Sequence, residues 1–135
     1  MSSSWELQRA LYRQLTADAN LTALTGGPRI FDKPPQQLDY PYLTLGASLV
    51  RDWSTATEAG EEHILTIHVW SRAPGSRQAQ QILAAVRQSL HDEALPLTGH
   101  ALINLRHEFS DVRFDTQRDL QHGITRYRAV TEPLS

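Results

Sequence analysis

The sequence contains no cysteine. Disulfides, thiolate nucleophiles and cysteine-ligated zinc or iron–sulfur centres are thereby excluded, and a cytosolic protein is the natural expectation. A surplus of positive charge is also missing. Thirteen Lys and Arg stand against 15 Asp and Glu, so the net charge of −2 lacks the basic excess of a protein that grips nucleic acid along its backbone. No apolar run approaches the roughly 20 residues that cross a bilayer, and no membrane partner is expected. The opening MSSSWELQRALYRQL has no basic segment followed by an apolar one, and it is not read as a signal peptide.

Catalytic patterns are equally scarce. RAPGSRQAQ, between a strand-like and a helix-like run, has one glycine and no lysine. A phosphate-binding loop would need two glycines followed by Lys and Ser or Thr, to surround the phosphates with backbone N–H groups and a cation. Arg72 and Arg77 near a helix start could attract an anion, but a helix pinned onto a strand is the better reading. The histidines suggest no metal site. His63 and His68 point to opposite faces of one strand, and His91, His100, His107 and His122 fall in different elements. No Gly-x-Ser-x-Gly occurs, and nothing local would bury Glu58, Glu61 and Glu62 to tune them for acid–base work. Neither catalytic residues nor a cofactor or metal are expected.

With 135 residues, 40% of them apolar, the chain can bury one real core, and residues 1–135 read as a single domain. In SWELQRALYRQLTAD, Leu7, Leu11 and Leu15 recur at helical spacing with Trp5 and Tyr12 nearby, and Ser4 is the expected N-cap. A second short helical turn closes at Gly26-Gly27, and RIF is a short extended segment. DKPPQQLDYPY is a proline-rich loop. YLTLGASLV alternates Leu43, Leu45, Ala47 and Leu49 on one face, and HILTIHVW alternates again, so the two form a hairpin around the acidic loop Asp52–Glu62. Ala79, Ile82, Leu83, Val86 and Leu90 mark a second helix, with Ser76 as its cap.

LINLRHEFSDVRF changes phase, which predicts a bulge near Ser110-Asp111. ITRYRAVTE is the last strand, with faces the pattern leaves ambiguous. The expected fold class is α+β, an antiparallel sheet of about four strands with two helices packed on one face. Its open edges could template assembly with a neighbour. The aromatics Trp53, Trp70, Tyr40 and Tyr42 sit at element ends, where they either cap a core or enter an interface.

The order LTALTGGPRIFD, PYLTLG, HILTIHVWSRAPGSRQAQQILAAVRQSL and HGITRYRAV, spanning Leu7 to Val130, resembles a family of small tail components. They occur in long-tailed bacteriophages and gene transfer agents, and their assigned role is tail terminator or tail completion. The resemblance implies a structural virion protein and no enzyme. It would form a homohexameric ring that caps the tail tube at the head–tail junction, after assembly in the bacterial cytoplasm. Its partners would be other copies of itself, the major tail-tube protein and the head-side connector, with DNA only passing through the lumen. A head–tail adaptor or minor tail subunit is the alternative; a small hydrolase and a nucleic-acid-binding module fit less well. Expected contact residues are Trp53, Glu58, Glu61 and Glu62 on the acidic loop, Lys33 and Tyr40 on the proline loop, and Arg126 and Arg128 on the last strand. Heterologous contacts of this kind are what a ring requires.

Overall fold

In the computed structural model, which describes residues 2–134, the leucine stripe of the N-terminus becomes α1 (Ser3–Ala17). Leu7, Ala10, Leu11 and Leu15 are buried on its inner side, each such leucine worth about 1.5–3 kcal/mol of transfer free energy. The cap is Ser2, whose hydroxyl accepts the Trp5 N–H at 3.1 Å; Ser4 lies within the first turn instead. Asp18 ends α1 and at once caps α2 (Ala19–Thr25) by accepting the Leu21 N–H. Gly26, at φ 80°, closes α2 in the left-handed region that glycine enters without steric cost.

The strands are β1 (Ile30–Phe31), β2 (Tyr42–Asp52), β3 (Glu61–Ser71), β4 (His100–Asp115) and β5 (Leu120–Pro133), with α3 (Arg77–Leu90) between β3 and β4. They form one sheet in the order β1-β2-β3-β5-β4, antiparallel except for the β1–β2 pair. The α+β expectation holds; the expected short helical turn is α2, and the short extended RIF segment supplies a fifth, two-residue strand. Because β3 lies beside β5, the β3–α3–β4 connection carries the chain across the helical face to the far edge of the sheet.

The register settles the ambiguous last strand. Leu65 pairs with Tyr127 and His63 with Ala129, which turns Thr125, Tyr127, Ala129 and Thr131 toward the helices and Arg126 and Arg128 away from them. Leu65, Ile67, Val69, Leu105 and Tyr127 meet the buried faces of α1 and α3 in a continuous core. Ser71 fastens the strand–turn–helix unit: its hydroxyl donates to Gln78 Oε1 at 2.5 Å and accepts the Ala73 N–H at 3.2 Å. Ser76 holds the capping position, but its hydroxyl accepts from the Gln80 side chain and caps no backbone N–H.

Two expected patterns shift at bulges. β2 is irregular between Leu45 and Ser48, so its apolar face ends there and Leu49 is 60% exposed. In β4 the phase change falls between His107 and Phe109 and leaves Glu108 unpaired, earlier than the expected Ser110-Asp111.

Candidate functional site: the open face of the sheet

All three helices pack on one face of the sheet. On the opposite face, cross-strand pairing aligns Arg51, Glu62 and Val130 in one row and Tyr42, Trp70 and His122 in another. These rows stand at opposite ends of the strands, and each end builds a cluster.

At the first end Glu62 is a clamped acid. It is the second residue of β3, its side chain is 3% exposed, and its two carboxylate oxygens accept hydrogen bonds from Arg51 on β2 and Arg128 on β5. The Arg51 bond and then the Arg128 bond hold its carboxyl below the usual range, against an opposing cost of desolvation. The expectation that Asp52–Glu62 forms one acidic loop is corrected here. Pairing of Asp52 with Glu61 draws both into strands, and the connection is residues 53–60. Glu61 points to the helical side, where it accepts the Ser3 hydroxyl at 2.6 Å. Charge reversal at Glu62 would therefore act on the fold before it acted on any partner.

Arg128 also lies over the Trp53 ring, 5.0 Å from its centroid, so the indole rests on the same guanidinium that binds Glu62. Trp53, Glu58, Ile103 and Arg128 line a shallow cleft of about 240 Å³. Of the anticipated contact residues, Trp53, Glu58, Glu62 and Arg128 thus converge. Arg126 stands further along β5, stacked over Phe109 at 4.8 Å. Lys33 and Tyr40 belong to the other end, with Lys33 exposed and Tyr40 5.1 Å from Tyr42 under the Arg72 guanidinium at 4.3 Å.

That other end holds a cluster the sequence did not announce. The Trp70 and His122 rings stack at 4.0 Å with 7° between planes, and His68 Nδ1 lies 2.8 Å from His122 Nε2. The Trp70 indole N–H donates to Thr44 Oγ1 at 3.1 Å, and Arg118 lies over its ring at 5.2 Å. Gly46 makes room, because a Cβ there would come 2.6 Å from His68 Nε2. Burial lowers the pKa of both imidazoles, so near neutral pH they are uncharged hydrogen-bonding rings. Alternation puts His68 and Trp70 on one face, but only the β3–β5 register brings His122 against both. No three His, Asp or Glu among the described residues are placed to hold a metal ion.

The open sheet face thus presents clamped ions and stacked rings flanked by exposed apolar side chains, a surface suited to contact with other molecules. The comparisons with known proteins agree. Residues 9–132 match the family model of the tail completion protein gp17, and the chain belongs to that family. It is 25% identical over 126 residues to the tail completion protein gp17 of Bacillus phage SPP1, covering 93% of this chain and 92% of the relative. A chain in the virion of a native gene transfer agent particle matches with 34% identity and a TM-score of 0.89, over 98% of this chain and 99% of that one. The structure of the phage SPP1 gp17 protein shares the fold, with 21% identity and a TM-score of 0.64 over 98% and 91% of the two chains. The protein is a structural component of a phage-like tail and not an enzyme.

Proposed function

We propose that this chain is the tail terminator of its particle. Acting as one domain, it is assembled in the bacterial cytoplasm, and its copies close into a homohexameric ring on the last layer of the tail tube. There the ring stops tube polymerisation and presents a surface to the head-side connector, while DNA passes through the lumen. The observation that carries this reading is the near end-to-end likeness to a chain of a gene transfer agent virion, at a TM-score of 0.89. Fold likeness alone would leave the role open; membership of a tail completion family supports it.

The open sheet face supplies contact surfaces that suit the role. The 53–60 connection with Trp53 and Glu58 projects at one end, over a base fixed by Glu62, Arg51 and Arg128. Lys33 and Tyr40 stand at the other end, with Arg126 between. We assign these projecting side chains to the tube and the connector. Deletion of the gene in the source strain, with electron microscopy of the released particles, tests the proposal. Separate heads with unattached or overlong tails are expected. Normal joined particles would remove the terminator role, and the head–tail adaptor alternative with it.

A further inference from the structure

The helix α1 has a second stripe that the core does not use. Trp5, Arg9, Tyr12 and Arg13 follow one another at spacings of four, three and one, and all four face outward. Trp5 is 42% and Tyr12 45% exposed, although a lone helix face gains nothing from showing two large aromatics to water. Trp5, Tyr12 and Arg13 line a hollow of about 250 Å³ with Asp32 and Leu45, on the β1–β2 side of the sheet. The opposite edge carries a larger groove of about 550 Å³ between α3 and β4. Its apolar lining comes from Leu83, Ala84 and Val112, with Arg87 on its helical wall and Asp111 on its strand wall.

The edges themselves cannot simply add to one another. β2 is bulged after Leu45, and β4 is bulged at two places. The middle of β4 is already bonded on its free side, by the Asp92 N–H to the Leu105 carbonyl at 2.8 Å and by the His107 N–H to His91 Nδ1 at 3.0 Å. Bulges and occupied backbone groups block edge-to-edge pairing. A contact made between the two flanks by side chains meets neither obstacle.

We propose that the outward stripe of α1 in one copy seats in the α3–β4 groove of the next copy. The partner is thus a second copy of this chain, held in the helix-in-groove manner with Trp5 and Tyr12 as anchors. The charges match across the two flanks. Arg13, in no ion pair among the described residues, meets a strand wall that carries Asp111, which the exposed Arg113 also pairs at 2.7 Å. Asp32, beside the stripe, is of opposite sign to Arg87 across the groove. A flank that differs from its receptor is the arrangement that closes a ring.

This inference rests on the ring reading above and fixes which surfaces meet in it. The absence of cysteine makes the test clean. Particles are prepared from the deletion strain complemented with Gln8→Cys (Gln8 lines the same hollow and is no anchor), Ala84→Cys or both, and treated with a short bis-maleimide cross-linker. The double variant is expected to give a ladder at multiples of the subunit mass, and each single variant only monomer. Dimers from a single variant would mean a two-fold contact, and monomer alone from the double variant would mean that the flanks do not meet; either overturns the proposal. Ala84→Trp fills the groove from an exposed position. With an unchanged circular dichroism spectrum it should enter particles at least tenfold less than wild type, and normal incorporation would equally overturn the proposal. Cross-linking reads contact between copies and is blind to tail length and head joining, whereas the deletion phenotype reads those two and no contact. Each can fail with the other standing.

Discussion

At the scale of single residues, acid–base chemistry and fold are tied together through Glu62 and four histidines. The carboxyl of Glu62 is held low by Arg51 and Arg128, so its contribution is complete above the ordinary carboxylate range and is lost only as pH falls through its depressed value. His63, His68, His107 and His122 are each lowered by burial from the usual 6.5. Their neutral forms belong to the fold, and the unfolded chain takes up protons first. Stability from the histidines is therefore fully present above pH 6.5 and lost as pH falls from there through their lowered values. Urea midpoints measured across pH should be flat from about 8 to 7, fall between about 6.5 and 5, and fall again below about 4. A midpoint unchanged from pH 7 to pH 5 would contradict these assignments. None of this was legible one residue at a time. A solvated glutamate and a clamped one look alike in sequence, and Glu62 acquires its arginines only through two strand registers.

At the scale of elements, periodicity located α1, α3 and the four long strands because each buries one face at its own period. It could not separate the two apolar sets of α1, since Trp5 and Tyr12 simply widen the leucine stripe until the fold shows them facing outward. The two-residue β1 is too short to carry an alternation, and the bulges of β2 and β4 displace faces that the pattern extends too far. Glycines show how far context decides. A Cβ on Gly123 would stand 3.2 Å from both Leu83 Cδ1 and Val69 Cβ, where α3 presses onto β5 and β3. Gly75, in the turn before α3, has nothing within 4 Å. Gly123→Ala should therefore cost about 1–3 kcal/mol and lower the thermal midpoint by several degrees, because packed backbone and side chains must shift. Gly75→Ala should change stability by less than about 1 kcal/mol. Equal midpoints for the two variants would mean that α3 does not rest on Gly123 as described.

At the scale of the whole molecule, composition limited the answer without supplying it. No cysteine, little net charge and no catalytic spacing described an α+β domain with open edges, and only the order of motifs pointed to a tail component. The clusters at the two ends of the open face were half legible. Trp53, Glu58 and Arg128 were singled out and do converge, whereas the Trp70–His122 stack needed the register. The two flanks were not legible at all, because a groove between α3 and β4 exists only once β4 has crossed to the far edge. The central claim is that this protein stands as a ring at the top of the tail. Cryo-electron microscopy of the head–tail junction in purified particles tests it most directly. The account predicts one closed ring of six copies between the last tube layer and the connector, with α1 of each copy against α3 and β4 of the next. Copies distributed along the tube, or a junction without this subunit, would contradict it.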